Sequence, residues 1–119
     1  RLISVHPFPA TAGRRAASRN AELATFASVA EASDEPVVLL GDFNASPWSA
    51  PMRDLQRTSG LRPAAYGHGI RPTWQYLWLL WAPLDYVMVS DEASVGAYWT
   101  GPWLGSDHTP VLVDLWFTE

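Results

Sequence analysis

The sequence predicts a layered α/β domain (α+β by some counts), and three observations carry that prediction. Val37-Val38-Leu39-Leu40 is apolar on consecutive residues, as in a strand covered on both faces. Arg14–Glu31 is alanine-rich, holds no glycine or proline, and spaces Leu23, Phe26, Ala27 and Ala30 along one helical face. Thr109–Phe117 alternates, with Val111, Val113, Leu115 and Phe117 on one side of a strand. Strands with such faces bury them against helices.

The elements follow in order. Leu2–Val5 is short and apolar and reads as a strand, closed by the rigid His6-Pro7-Phe8-Pro9. The helix over Arg14–Glu31 stops at Asp34-Glu35-Pro36. The central strand Val37–Leu40 runs into Gly41-Asp42-Phe43-Asn44. Ser49 can cap a short helix over Ala50–Thr58, with Pro51 in its first turn and Gly60 past its end. Residues 61–83 read as irregular. Leu84–Ser90 is a strand, Asp91-Glu92 a turn, Ala93–Thr100 another strand, and Pro102–Gly105 a loop before the last strand. The order β-α-β-α-β-β-β predicts mainly one mixed or antiparallel sheet of about five to six strands, with two helices on one face.

The chain has 119 residues, 48% of them hydrophobic, with seven tryptophans and ten prolines, which suits one ordinary domain. Zero cysteine excludes disulfide scaffolds, thiolate zinc sites and cysteine nucleophiles. The formal net charge is −4 and all eight basic residues are arginine, so strong non-specific nucleic-acid binding is not expected. The most apolar run, residues 76–82, is far shorter than the ~20 residues of a membrane span.

Polar residues gather at strand ends. Asp42 and Asn44 end the central strand, Asp107 and His108 immediately precede the last one, Asp85 sits inside a third, and His6 ends the first. Gly-Asp-x-Asn also ends many strands as a simple turn, and a histidine before proline is common in loops. A carboxylate within an apolar strand, however, needs a partner. Several such groups at one sheet edge would form an oxygen-rich cluster suited to Mg²⁺, Mn²⁺ or Ca²⁺. That cluster can hydrolyse a phosphate ester. A metal neutralises oxyanions, a carboxylate orients water, and an imidazole and an amide donate to phosphoryl oxygens.

Four segments in series carry a resemblance: Val5-His6-Pro7, Val37–Asn44, Leu84-Asp85-Tyr86-Val87 and Gly105-Ser106-Asp107-His108-Thr109-Pro110. Together they resemble the C-terminal half of the endonuclease/exonuclease/phosphatase superfamily, in a deoxyribonuclease-like bacterial subgroup. Pro72-Thr73-Trp74 and Asn44-Ala45-Ser46-Pro47-Trp48 add to the likeness.

The resemblance implies half of a four-layer α/β sandwich and a divalent-metal-dependent hydrolase of phosphate esters. Its substrate would be a nucleic acid or a phospholipid head group. Asp42 would orient or activate water. Asn44 would contact the phosphate and hold Asp42. His108 would serve as hydrogen-bond donor or general acid/base, paired with Asp85, and His6 would bond a phosphoryl oxygen. Asp107, with Asp42 and Asn44, would bind the cation, Mg²⁺ or else Mn²⁺ or Ca²⁺. The family's first half supplies a metal-binding glutamate, and this chain begins at the histidine strand. Residues 1–119 are therefore expected to be one partial domain whose partner is the missing N-terminal half, within an extracytoplasmic or membrane-tethered parent. The alternative is a non-catalytic half-domain that only binds or supports.

Outside these motifs, Arg19 and Asn20 have two readings, the site or solvent, of which solvent is the favoured one; His68 is expected to lie on the surface, Trp99 and Trp116 to fill core, and Trp74 to pack beneath the site loops. The apolar stretch 76–82 has three readings: a lid, a contact with lipid or a partner, or loop packing.

Overall fold

The structure, a computed structural model, describes residues 1–10, 13–77 and 79–118. Its elements are β1 (Leu2–Val5), α1 (Gly13–Glu31), β2 (Val38–Asp42), α2 (Ala50–Ser59), β3 (Arg62–Pro63), β4 (Trp74–Tyr76), β5 (Leu80–Ala82), β6 (Asp85–Val89), β7 (Ala93–Thr100) and β8 (Val111–Phe117). The main sheet has the order β1-β2-β6-β3. β1 runs parallel to β2, and β6 runs antiparallel to both β2 and β3.

The pleat of this sheet sorts its side chains. Leu39, Tyr86 and Met88 point to one face, where they are buried with Leu23, Ala27 and Ala30 of α1 and Met52 and Leu55 of α2. Both helices thus cover one face, as the apolar spacing of α1 requires. α2 starts at Ser49 and Pro51 as expected, but the Ser49 hydroxyl donates to the Ser46 carbonyl instead of capping the helix. Gly60 ends α2 in the left-handed conformation (φ 72°), its N–H donating to the Gln56 carbonyl.

On the opposite face the register aligns Leu40 with Val87 and Val38 with Val89. The β7–β8 hairpin packs there through Tyr98, Val95, Val111, Val113 and Leu115. This second core is open. An apolar groove of about 450 Å³ runs between Val38, Leu40 and Val87 on one side and Val111, Val113 and Leu115 on the other.

Three expectations are corrected. The main sheet has four strands, not five or six, because β7 and β8 pair only with each other and β4 and β5 form a separate ribbon. The stretch 61–83 is not wholly irregular: it contains β3, β4 and β5. These strands have only two or three residues, too few to show a period, and Pro63 occupies the short edge strand β3 where a missing N–H is tolerated. Trp116 and Trp99 are not core. The inward phase of β8 is 111, 113, 115, which turns Trp116 outward, 67% exposed, over Gly96. A Cβ at Gly96 would lie 2.6 Å from the Trp116 indole nitrogen, and the β-bulge of this hairpin falls at the same place. No helix among the described residues is long and apolar enough to cross a membrane.

Candidate active site

The same pleat that sorts the apolar residues places the polar ones. Asp42 follows Val38 and Leu40 on the open face, and its register partner is Asp85, the first residue of β6. His6 continues the Leu2, Ser4 alternation of β1 toward that end. The carboxyl ends of the parallel pair β1 and β2, with the start of the antiparallel β6, therefore deliver a histidine and two aspartates to one edge.

Gly41 makes the approach possible. It pairs with Val5 at φ 142°, and a Cβ there would fall 1.9 Å from the Val5 carbonyl oxygen. Only glycine lets β1 and β2 lie this close at the point where His6 meets Asp42.

Asn44 braces the edge. It takes φ 48°, a region asparagine tolerates better than most residues. Its backbone N–H donates to Asp42 Oδ1 at 2.8 Å, and its Nδ2 donates to the Pro7 carbonyl at 2.9 Å. Its own carbonyl accepts from Arg19 Nη1 at 2.7 Å. Arg19 thus does not simply face solvent, as its sequence suggested. It ties α1 to the Asp42–Asn44 loop while also holding Asn20 Oδ1.

His108 arrives from the far side of the chain. Its segment is pinned by the Thr109 N–H to the Thr73 carbonyl (2.8 Å) and the Gln75 N–H to the Asp107 carbonyl (2.9 Å). Thr73 is buried, and its hydroxyl oxygen accepts from the N–H groups of Leu84 and Asp85 at 3.1 and 3.0 Å. It fixes the start of β6 and the His108 segment together. The sequence offered no separate signal for Thr73 beyond its place before Trp74.

His108 Nδ1 donates to Asp85 Oδ2 at 2.7 Å. Its Nε2 lies 3.8 Å from Asp42 Oδ2, and His6 Nε2 lies 3.8 Å from the same oxygen. Asp42 is largely buried (15% exposed) whereas His6 is 74% exposed. Burial pushes the Asp42 carboxyl above its ordinary range, against the Asn44 N–H bond that lowers it, with Asp85 adding to the rise. For His108, burial works downward, but the hydrogen bond and charge of Asp85, helped by Asp42 and Asp107, outweigh it and raise the imidazole.

All six sequence candidates meet at this edge. His6, Asp42, Asn44, Asp107 and His108 line one depression of about 390 Å³ with Trp74, and Asp85 stands behind His108. Asp107 sits at the exposed rim, where its carboxylate accepts from Trp74 Nε1 at 3.2 Å. The donor atoms of Asp42, Asp85 and His108 all lie within 4.8 Å of one another, a group that could hold a metal ion, and Asp107 is not one of the three.

A sequence model described as the Endonuclease/Exonuclease/phosphatase family matches residues 2–108. A functionally unknown conserved protein from Enterococcus faecalis superposes with a TM-score of 0.77 at 20% identity, over 98% of this chain and 50% of that one. The catalytic domain of human Nocturnin, solved with a bound sulfate anion, gives 0.69 at 22% identity, over 97% and 46%. A mannosyl-6-phosphatase from Bacteroides thetaiotaomicron gives 0.68 at 16% identity, over 98% and 51%. At these identities the likeness shows the fold. The chain spans about half the length of these structures. No curated protein matches the sequence.

Proposed function

The chain belongs to the endonuclease/exonuclease/phosphatase family, and from that premise we propose that it is the C-terminal half of a divalent-cation-dependent hydrolase of phosphate esters. The observation that carries this reading is the pair of 3.8 Å gaps onto Asp42 Oδ2, one from His108 Nε2 and one from His6 Nε2. Neither gap is a hydrogen bond. Each leaves room for an oxygen ~2.8 Å from both flanking atoms, the distance at which it would bond both.

Asp42 accepts from a water at Oδ2 and orients it toward phosphorus; its raised pKa strengthens it as a base. His108, held in one tautomer by Asp85 and raised in pKa, presents an Nε2 proton to a phosphoryl or leaving oxygen. His6 donates to a phosphoryl oxygen from the exposed side. Asn44 keeps the Asp42 loop and the His6 loop in register.

The donor set fits a hard divalent cation, Mg²⁺ or else Mn²⁺ or Ca²⁺, because it offers carboxylate and amide oxygens and no sulfur. Asp85 Oδ2 and His108 Nδ1 already satisfy each other. We therefore assign the ion to Asp42, with Asn44 and Asp107 at the same rim and the remaining ligands from the family's other half. When bound, it supplies charge neutralisation at the phosphoryl and leaving oxygens.

The substrate class is a nucleic acid or a phospholipid head group. The test is hydrolysis of chromogenic phosphodiester and phosphomonoester probes by the complete two-sheet protein, with Mg²⁺ and then with EDTA. Turnover that EDTA removes and Mg²⁺ restores is expected. Absence of hydrolysis with every divalent cation overturns the reading.

The open groove favours a second reading, in which this stretch is a binding or structural half without its own catalysis. Calorimetric titration of residues 1–119 with Mg²⁺ separates the two. Tight binding at a defined stoichiometry counts against the second reading.

A further inference from the structure

The ribbon β4–β5 ends in a tip that the proposed hydrolysis does not use. No charged residue occurs from Thr73 to Leu84. Leu77 and Leu79 are 68% and 80% exposed, and Tyr76, Leu80 and Trp81 are each more than half exposed. Trp78 lies between them in sequence and outside the described residues. An exposed apolar cluster of this kind marks a contact surface.

The arrangement of the tip selects the kind of contact. Tyr76 pairs with Leu80 across the ribbon, and Gln75 with Trp81, so neighbouring pairs project from opposite faces. A rigid partner covers one face of a two-stranded ribbon, whereas a fluid apolar medium surrounds the tip. Leu77 also holds φ 47°, where asparagine or glycine is the ordinary choice in a tight turn. An apolar side chain is kept there at a cost in backbone strain.

Two further apolar groups stand on segments that carry site residues. Trp103 and Leu104 are exposed on the loop before Asp107, and Phe8 is exposed two residues beyond His6. The Trp103 indole N–H donates to the Ser106 carbonyl at 2.7 Å, so its ring can enter an apolar phase without leaving a donor unpaired. Tryptophan and tyrosine with leucine and no charge is the composition that partitions into a bilayer interface. The tip is coupled to the site by the Gln75 N–H bond to the Asp107 carbonyl.

We infer that the β4–β5 tip is a membrane-docking element, inserting into the interface of a lipid bilayer and seating the rim of the Asp42–His108 site against the head groups. The docking does not depend on the hydrolytic reading, because it is measured without turnover.

The experiment is flotation of the chain with phosphatidylcholine vesicles, with and without phosphatidylglycerol, at low and high salt. Wild type is expected to float with both compositions and to stay bound in high salt. The double variant Leu77→Glu/Leu79→Glu should lower the bound fraction by about tenfold or more, with an unchanged far-UV spectrum. Leu77→Gly relieves the strained turn while removing the side chain, so it should raise the unfolding midpoint yet weaken flotation. Val113→Thr, in the open groove, should leave flotation unchanged. Failure of wild type to float, loss of flotation in high salt, or equal loss in Val113→Thr overturns the inference. So does tip-dependent self-association in sedimentation velocity without vesicle binding, which would make the occupant a second copy of the chain.

Discussion

The two faces of the main sheet differ in what closes them. On the helix face, Leu39, Phe43 and Met88 are completely buried. On the other face, Leu40 and Val87 are only partly buried and border an open groove. One strand supplies both: Leu39 and Leu40 are adjacent in β2. Asp42 and Asp85 follow the phase of the open face, and His6 continues it beyond β1. The closed face therefore carries the more fully sealed packing, and the open face carries the proposed site.

The largest expected effect probes the closed face. Phe43→Ala removes a ring set edge-on to Tyr86 at 5.1 Å between centroids. It should cost ~3–5 kcal/mol in denaturant unfolding, the range for deleting a buried aromatic. Leu39→Ala should cost ~2–5 kcal/mol, and Leu40→Ala under ~2 kcal/mol, because its neighbours are fewer and water already reaches it. Equal losses at Leu39 and Leu40 would break the distinction between the faces.

Gly41→Ala comes next. Its Cβ would collide with the backbone of β1, and its φ of 142° suits glycine. A loss of ~2–3 kcal/mol is expected. The His6–Asp42 contact should loosen, which shows as a change in the His6 imidazole NMR signals. A neutral result would mean that β1 does not need this approach.

The smallest expected effect is in pH dependence without divalent cation. Asp42 and His108 are both raised in the folded chain, so the folded state holds protons that the unfolded state has released. For Asp42, stability falls as pH climbs from its ordinary value of 3.8 through the raised one. For His108, the contribution is full below 6.5 and is lost as pH rises through its raised value. Unfolding in EDTA at stepped pH should show both slopes. Asp42→Asn should remove the lower and His108→Gln the upper. An unchanged profile in both variants would detach these shifts from the folded site.

Much of this was legible from residue order, and the reason lies in the pleat. Alternation along β8 and the unbroken apolar run of β2 are long enough to show their period. The pairing of Asp85 with His108 follows from the cost of an unpartnered carboxylate in a strand. The ribbon β4–β5 was not legible, because three-residue strands carry no period. Arg19 was missed because α1 has a polar face whose two readings, solvent or site, look alike until the helix is docked. Thr73 stood in the Pro72-Thr73-Trp74 segment, but its role was missed because that work is done by a hydroxyl oxygen on two backbone N–H groups, which leaves no pattern. Trp116 was misplaced by its bulk, although the phase of β8 already turned it outward.

The central claim is that Asp42 and His108 together perform hydrolysis at phosphorus on the open face. Mg²⁺-dependent turnover of a phosphodiester probe by the complete protein, compared with Asp42→Asn and His108→Gln, tests it most directly. The account predicts a fall of ~10²–10⁴-fold in each variant, with the unfolding midpoint near that of wild type at pH 7. Full activity in both folded variants would contradict it.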